Sequence, residues 1–160
     1  MYIKIDEYFK NSFNLNSRIY VESLEVGAKE YGGATEIDGI IFSNYNNTDI
    51  FKINEVDNIL GIIIPGTIDI NKKIDNTNFV DMIINNLKLN NIIDIKNKDI
   101  KGSWMANDNK CIIEDNNLIT FKSNNIDREL KLLKKLATII KKDMNQEAVS
   151  ILVNDGLIIY

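Results

Sequence analysis

The sequence predicts an α+β domain in which helices cover one face of a largely antiparallel sheet. Three observations predict it. Apolar residues recur at helical spacing in three separate stretches, and as alternating or short continuous apolar runs between them. The elements run β-α-β, then a mixed middle block, then β-β-α-β, an order that suits a sheet with its helices gathered on one side. The chain has 160 residues, 44% apolar and 26% charged, which is one domain with core enough to need no metal or disulfide staple.

Met1-Tyr2-Ile3-Lys4-Ile5-Asp6 alternates as an amphipathic strand. Asn16 or Ser17 is expected to cap a first helix, whose face is Tyr20, Leu24, Ala28 and Tyr31, widened by Val21. Gly32-Gly33 ends it, because glycine enters the left-handed cap without a Cβ penalty. Ala34 to Ser43 reads as one strand, residues 44–49 as a loop, and Ile50 to Ile53 as a short strand. Ile59 to Ile64 is the apolar run of a buried strand, closed by Pro65-Gly66. Asn76 or Thr77 caps a helix through Leu89 with the face Phe79, Val80, Ile83, Ile84 and Leu87. Ile92 to Ile95 reads as a strand. Lys101-Gly102-Ser103-Trp104 opens an extended segment that turns at Asn107-Asp108-Asn109 and returns as Lys110 to Lys122.

The third helix is the clearest element. Ile126, Leu130, Leu133, Ala137 and Ile140 form its stripe, Asn125 caps it, and Asp127, Glu129, Lys141 and Lys142 lie at the ends that suit the helix dipole. Ala148 to Val153 is then a strand, and Asn154-Asp155-Gly156 reverses the chain so that Leu157 to Tyr160 pairs back.

Composition excludes much chemistry. Histidine is absent and cysteine occurs once, so the chain itself holds no Ser–His–Asp or Cys–His machinery and no His-ligated or multi-Cys zinc site. Cys111, set in an apolar strand, reads as a small buried hydrophobe. Gly32-Gly33 follows a helix, whereas phosphate-cradling glycines precede one. Thirty Ile and 24 Asn reflect A/T-rich codons, the Asn residues being scattered between periodic segments. Seven residues, Ile59 to Pro65, make the longest apolar stretch, too short to span a bilayer, and no signal peptide is evident. A cytoplasmic protein with no membrane contact is expected. The net charge of −4 argues against direct nucleic-acid binding.

Three segments carry a resemblance. They are Tyr31-Gly32-Gly33-Ala34-Thr35; Gly102-Ser103-Trp104 followed by Ile113-Glu114-Asp115; and Met144-Asn145-Gln146-Glu147-Ala148-Val149. In this order the chain resembles a family of small uncharacterised proteins of phages, prophages and mobile elements, over roughly residues 1–40 and 101–160. The resemblance implies a ferredoxin-like βαββαβ core within a single domain, 1–160, interrupted by an inserted β/α block, 41–100. It also implies a phage-like setting.

Glu114 and Glu147, if they faced one cleft, could act as an acid/base pair or ligate Mg²⁺ in a metal-dependent hydrolase. The favoured reading is that Gln146 and Glu147 bond backbone groups where helix meets strand. Glu114 and Asp115 point to opposite faces of their strand. Trp104 reads as a core or sheet-face aromatic. No catalytic, cofactor or metal residues are therefore assigned.

Residues 1–60 carry ten acids and five bases, an acidic surface suited to a basic partner. These readings predict a non-enzymatic, phage-type protein that binds and inhibits a host protein with a basic surface, in its concrete form an anti-CRISPR-like blocker of a bacterial defence component. The expected contact residues are Tyr45, Asn46, Asp49, Glu55, Asp57, Asp94 and Asp99. A small-molecule or nucleotide-sequestering module is the alternative, with an immunity protein behind it; a homodimer is compatible with each.

Overall fold

Short-range signals explain most of the elements. The structure, a computed structural model, describes residues 2–3, 14–45, 51–52, 59–69, 72–73, 76–106, 108–153 and 156–160. Helix α1, Leu24–Tyr31, starts where the Ser23 hydroxyl accepts the Val26 N–H at 3.1 Å and stops at Gly32, whose φ of 82° is left-handed. The helix expected to begin at Asn16 or Ser17 is corrected here. Asn14–Tyr20 is strand β2, and Tyr20, expected on a buried helical face, is 70% exposed. The single strand expected over Ala34 to Ser43 is a hairpin, β3 (Gly33–Ile37) and β4 (Ile40–Tyr45). Its turn residues Asp38 and Gly39 both have positive φ, the geometry a two-residue type I′ turn demands.

Farther along, β6 (Ile59–Ile64), α2 (Thr77–Leu89), β9 (Lys96–Met105), β10 (Cys111–Lys122), α3 (Ile126–Asp143), β11 (Ser150–Val153) and β12 (Gly156–Ile159) follow the predicted pattern closely. The exception is Ile92 to Ile95, which is a loop. Asn91 and Asp94 sit there at positive φ, which breaks strand pairing, and Ile92 is buried as a plug while Ile93 is exposed. Asn125 caps α3 by accepting the Arg128 N–H at 3.1 Å. Two small antiparallel pairs stand apart: β1 (Tyr2–Ile3) with β5 (Phe51–Lys52), and β7 (Thr67–Asp69) with β8 (Lys72–Lys73).

The sheet is where structure departs from expectation. The order β10-β6-β11-β12-β2-β4-β3-β9 closes on itself, every neighbour antiparallel, into an eight-stranded barrel. The α+β class stands, but the ferredoxin-like sheet implied by the resemblance does not describe this ring. Closure pairs both edges that an open sheet would leave bare. The block 41–100 supplies nearly all of β4, the whole of β6 and the first half of β9 to the barrel wall.

Directly opposed residues of an antiparallel pair share a face, and faces alternate along each strand. One face carries Leu60, Ile62 and Ile64 of β6, Ile119 and Phe121 of β10, and Ile151 and Val153 of β11. Helices α2 and α3 pack onto it through Val80, Ile83 and Leu87, and through Leu130, Leu133, Ala137 and Ile140. Helix α1 lies on the same face, where Ser103 donates to the Leu24 carbonyl at 2.8 Å and Ala34 packs with Val21 and Leu24. An eight-stranded ring has room inside for side chains or one small ligand, not for packed helices. This helix-covered face is therefore the outside. The lumen is filled by Ile63, Ile100, Leu118 and Leu152, with Ile37 against them. Among the described residues no helix is long and apolar enough to cross a membrane.

Candidate functional site

The β9–β10 hairpin is closed by the Ala106 N–H donating to the Lys110 carbonyl at 2.9 Å, and its register places Trp104 opposite Ile112 and Gly102 opposite Glu114. Strand β3 continues both rows, Gly33 lying opposite Trp104 and Thr35 opposite Gly102. These residues share a face with Ile100 and Leu118, so they belong to the lumen, at the end nearer the hairpin turn. Apolar filling stops there. Trp104 and Glu114 are each half-buried, and the indole Nε1–H donates to Glu114 Oε2 at 3.1 Å. Below them the buried Asn116 accepts the Gly66 N–H at 2.9 Å through Oδ1. Its amide nitrogen occupies the space a side chain at 102 would take, which is why glycine stands opposite Glu114.

The outer side of the same three strands is an ordinary charged surface. Glu36, Lys101 and Asp115 lie in one row, and the Lys101 ammonium bonds the Asp115 carboxylate. That bond, aided by the charges of Asp115 and Glu36, raises the Lys101 pKa above its ordinary value. The alternation expected of Glu114 and Asp115 is thus realised, one acid facing the lumen and the other facing solvent.

The acid pair considered from sequence is not what the structure assembles. Glu114 is held by Trp104 of its own hairpin, while Glu147 is exposed in the turn before β11. Gln146 does bond backbone, its Nε2 donating to the Met144 carbonyl at 3.1 Å. Among the described residues no group of three or more Cys, Asp or Glu is placed to hold a metal ion. Cys111 is half-buried rather than fully buried.

Three of the expected partner-contact residues, Tyr45, Asp94 and Asp99, lie among the described residues. Tyr45 ends β4 opposite Ser17. Asp94 is exposed in the left-handed loop before β9. Asp99 is exposed on the outer face, accepting the Asn117 amide at 3.0 Å. Asn46, Asp49, Glu55 and Asp57 lie outside the described residues. What sequence reasoning missed is the Trp104–Glu114 pair, although both residues were noted singly. The turn at residues 107–109 is the signal that could have found it, since it sets Trp104 opposite Ile112 and so makes Glu114 its diagonal neighbour on the same face.

No protein-family model and no curated protein matches the chain. Two solved structures do. A phage SAM lyase in complex with S-methyl-5′-thioadenosine superposes with a TM-score of 0.50 at 15% identity, covering 69% of this chain and 95% of that one. A phage SAM lyase in its apo state gives 0.46 at 16% identity, covering 69% and 97%. The first likeness shows a shared fold. It overturns the expectation of a non-enzymatic inhibitor of a host defence protein, because the solved chain of this fold is an enzyme with a small-molecule ligand. The expectation that the protein is no enzyme is corrected with it.

Proposed function

We propose that this protein is an enzyme acting on an adenosyl sulfonium, S-adenosylmethionine, which it cleaves to the thioether S-methyl-5′-thioadenosine. The observation that carries the reading is the half-buried carboxylate of Glu114, fixed by an indole N–H where the apolar filling of the lumen ends. A carboxylate is kept in such a place at a desolvation cost, and it is suited to hydroxyl, amine or onium groups. The indole beside it offers a face for a purine or a cation. The fold shared with a phage SAM lyase directs which ligand to try first.

The chemistry asked of the site is modest. The bond between sulfur and the amino-acid arm breaks with its electron pair returning to sulfur, while the carboxylate oxygen of that same arm bonds the carbon that sulfur leaves and closes a five-membered homoserine lactone. The cation thereby becomes a neutral thioether, and no metal or external electron donor is needed for that step.

Purified protein incubated with S-adenosylmethionine, with products separated by liquid chromatography and mass spectrometry, tests the proposal. The thioether is expected to accumulate well above the rate in buffer alone. Each adenosyl compound is also expected to raise the melting temperature in a saturable way. Thioether formation at the buffer rate, with no thermal shift from substrate or product, overturns it.

A further inference from the structure

We infer that Asn116 and Thr35 read the edge of the ligand's adenine ring, Asn116 donating to a ring nitrogen and Thr35 accepting from the exocyclic amine. The inference rests on the reading above and deepens it by giving the purine a place. Both residues face the lumen beside Gly102. Thr35 lies directly opposite Gly102 on β3, and the Asn116 amide nitrogen stands where a Gly102 side chain would be.

The backbone fixes the polarity of Asn116. Its Oδ1 accepts the Gly66 N–H at 2.9 Å, a bond the nitrogen end cannot make. The end turned toward Gly102 is therefore the donor. Asn116 is buried, yet no acceptor meets its amide nitrogen among the described residues. The half-buried Thr35 hydroxyl likewise has no hydrogen-bond partner among them. Sheltered polar groups are as a rule satisfied, so a donor and a hydroxyl left open beside one glycine mark the place of a third group.

The surroundings choose among the parts of an adenosyl ligand. Two residues farther inward along each strand, the next luminal side chain is Ile37 on β3, Ile100 on β9 and Leu118 on β10, all part of the apolar plug. A group held by Asn116 and Thr35 rests against that plug. The purine ring is the part of the ligand that costs least to desolvate, whereas the ribose hydroxyls and the charged arm are better left toward the hairpin end. Adenine also presents, at either of two edges, a ring nitrogen that accepts beside an amine that donates. That edge complements a fixed N–H donor next to a hydroxyl.

Isothermal titration at mildly alkaline pH with S-methyl-5′-thioadenosine, which has the purine and no amino-acid arm, tests the assignment. Asn116→Asp keeps the oxygen that Gly66 bonds and replaces the donor by an acceptor. Its affinity for this probe should fall at least about tenfold, and its affinity for S-adenosylhomocysteine by the same factor. Thr35→Val keeps the side-chain shape and loses the hydroxyl; it should cost about threefold or more, and it supplies the test if Asn116→Asp does not fold. The 1-deaza and 7-deaza analogues of the probe each lack the ring nitrogen of one edge. One of the two should bind the wild type about tenfold more weakly and be indifferent to Asn116→Asp, which identifies the edge. Variants that bind the probe as the wild type does overturn the inference, as does full wild-type affinity for both deaza analogues. A loss confined to S-adenosylhomocysteine also overturns it, since the amino-acid arm would then occupy the corner. In each of these cases the proposed function stands. Failure of the wild type to bind the probe, S-adenosylhomocysteine or S-adenosylmethionine removes both.

Discussion

The two faces of the barrel wall are built to opposite rules. Outside, the wall meets α2 and α3 through a continuous apolar layer running from Leu60 to Val153, with fully buried residues such as Leu133, Leu136 and Ile140. Glu129 is the one charged member of that region of α3. It is buried, one of its carboxylate oxygens lacks a hydrogen-bond partner, and the other meets Arg128 at 3.5 Å. Inside, a small apolar plug around Ile100 and Leu118 gives way to Asn116 and, two residues farther along each strand's inner face, to Glu114 and Trp104. The contrast teaches that stability and chemistry are divided between the faces. The outer layer is large enough to tolerate a polar interior at one end, because the burial that holds the fold does not depend on it.

The largest effect expected from this division is on the outside. Leu133→Ala should cost about 2–5 kcal/mol in denaturant unfolding, since a fully buried leucine between helix and sheet leaves a cavity that packed neighbours refill only in part. A cost under about 1 kcal/mol would show that the outer layer is not the main core. Next comes the lumen. Gly102→Ala places a methyl on the Asn116 amide and should cost about 1–3 kcal/mol through overpacking. It should also disturb the Asn116 bond to Gly66, seen as faster hydrogen exchange of the Gly66 amide. An unchanged exchange rate would mean that the luminal end is looser than its contacts suggest.

The smallest effect belongs to neither face. Glu25 and Lys29 pair on the exposed side of α1. The hydrogen bond to Lys29, then its charge, lowers the Glu25 pKa below the ordinary 4.5. A lowered carboxyl pKa gives a contribution present above 4.5 and lost as pH falls through the folded-state value. Wild type and Glu25→Gln melting curves should therefore differ slightly near pH 7 at low salt and converge at acid pH or in high salt. A difference that persists in high salt would mean that Glu25 acts through packing instead.

How far the sequence could be read follows from how far each signal reaches along the chain. The stripe from Ile126 to Ile140, the caps at Ser23 and Asn125 and the stop at Gly32 act over a few residues, and the helices they specify are present. Ser23 has rivals in Asn16 and Ser17, which are residue types equally suited to capping a helix. Their role is set by pairing with β4 and β12, segments that follow them by dozens of residues and by well over a hundred, respectively. Trp104 and Glu114 were visible one by one, and only the hairpin register joins them.

Composition and local periodicity by themselves determined the α+β class, most helices and strands and the absence of histidine chemistry. Each of these depends on residue type and on neighbours within about two turns. Tertiary structure alone decided that the sheet closes, which face the helices cover and that an acid and an indole meet at the end of the lumen. Closure is a sum of pairings between strands far apart in the chain, and a shift of one residue in any of them would move every side chain to the other face.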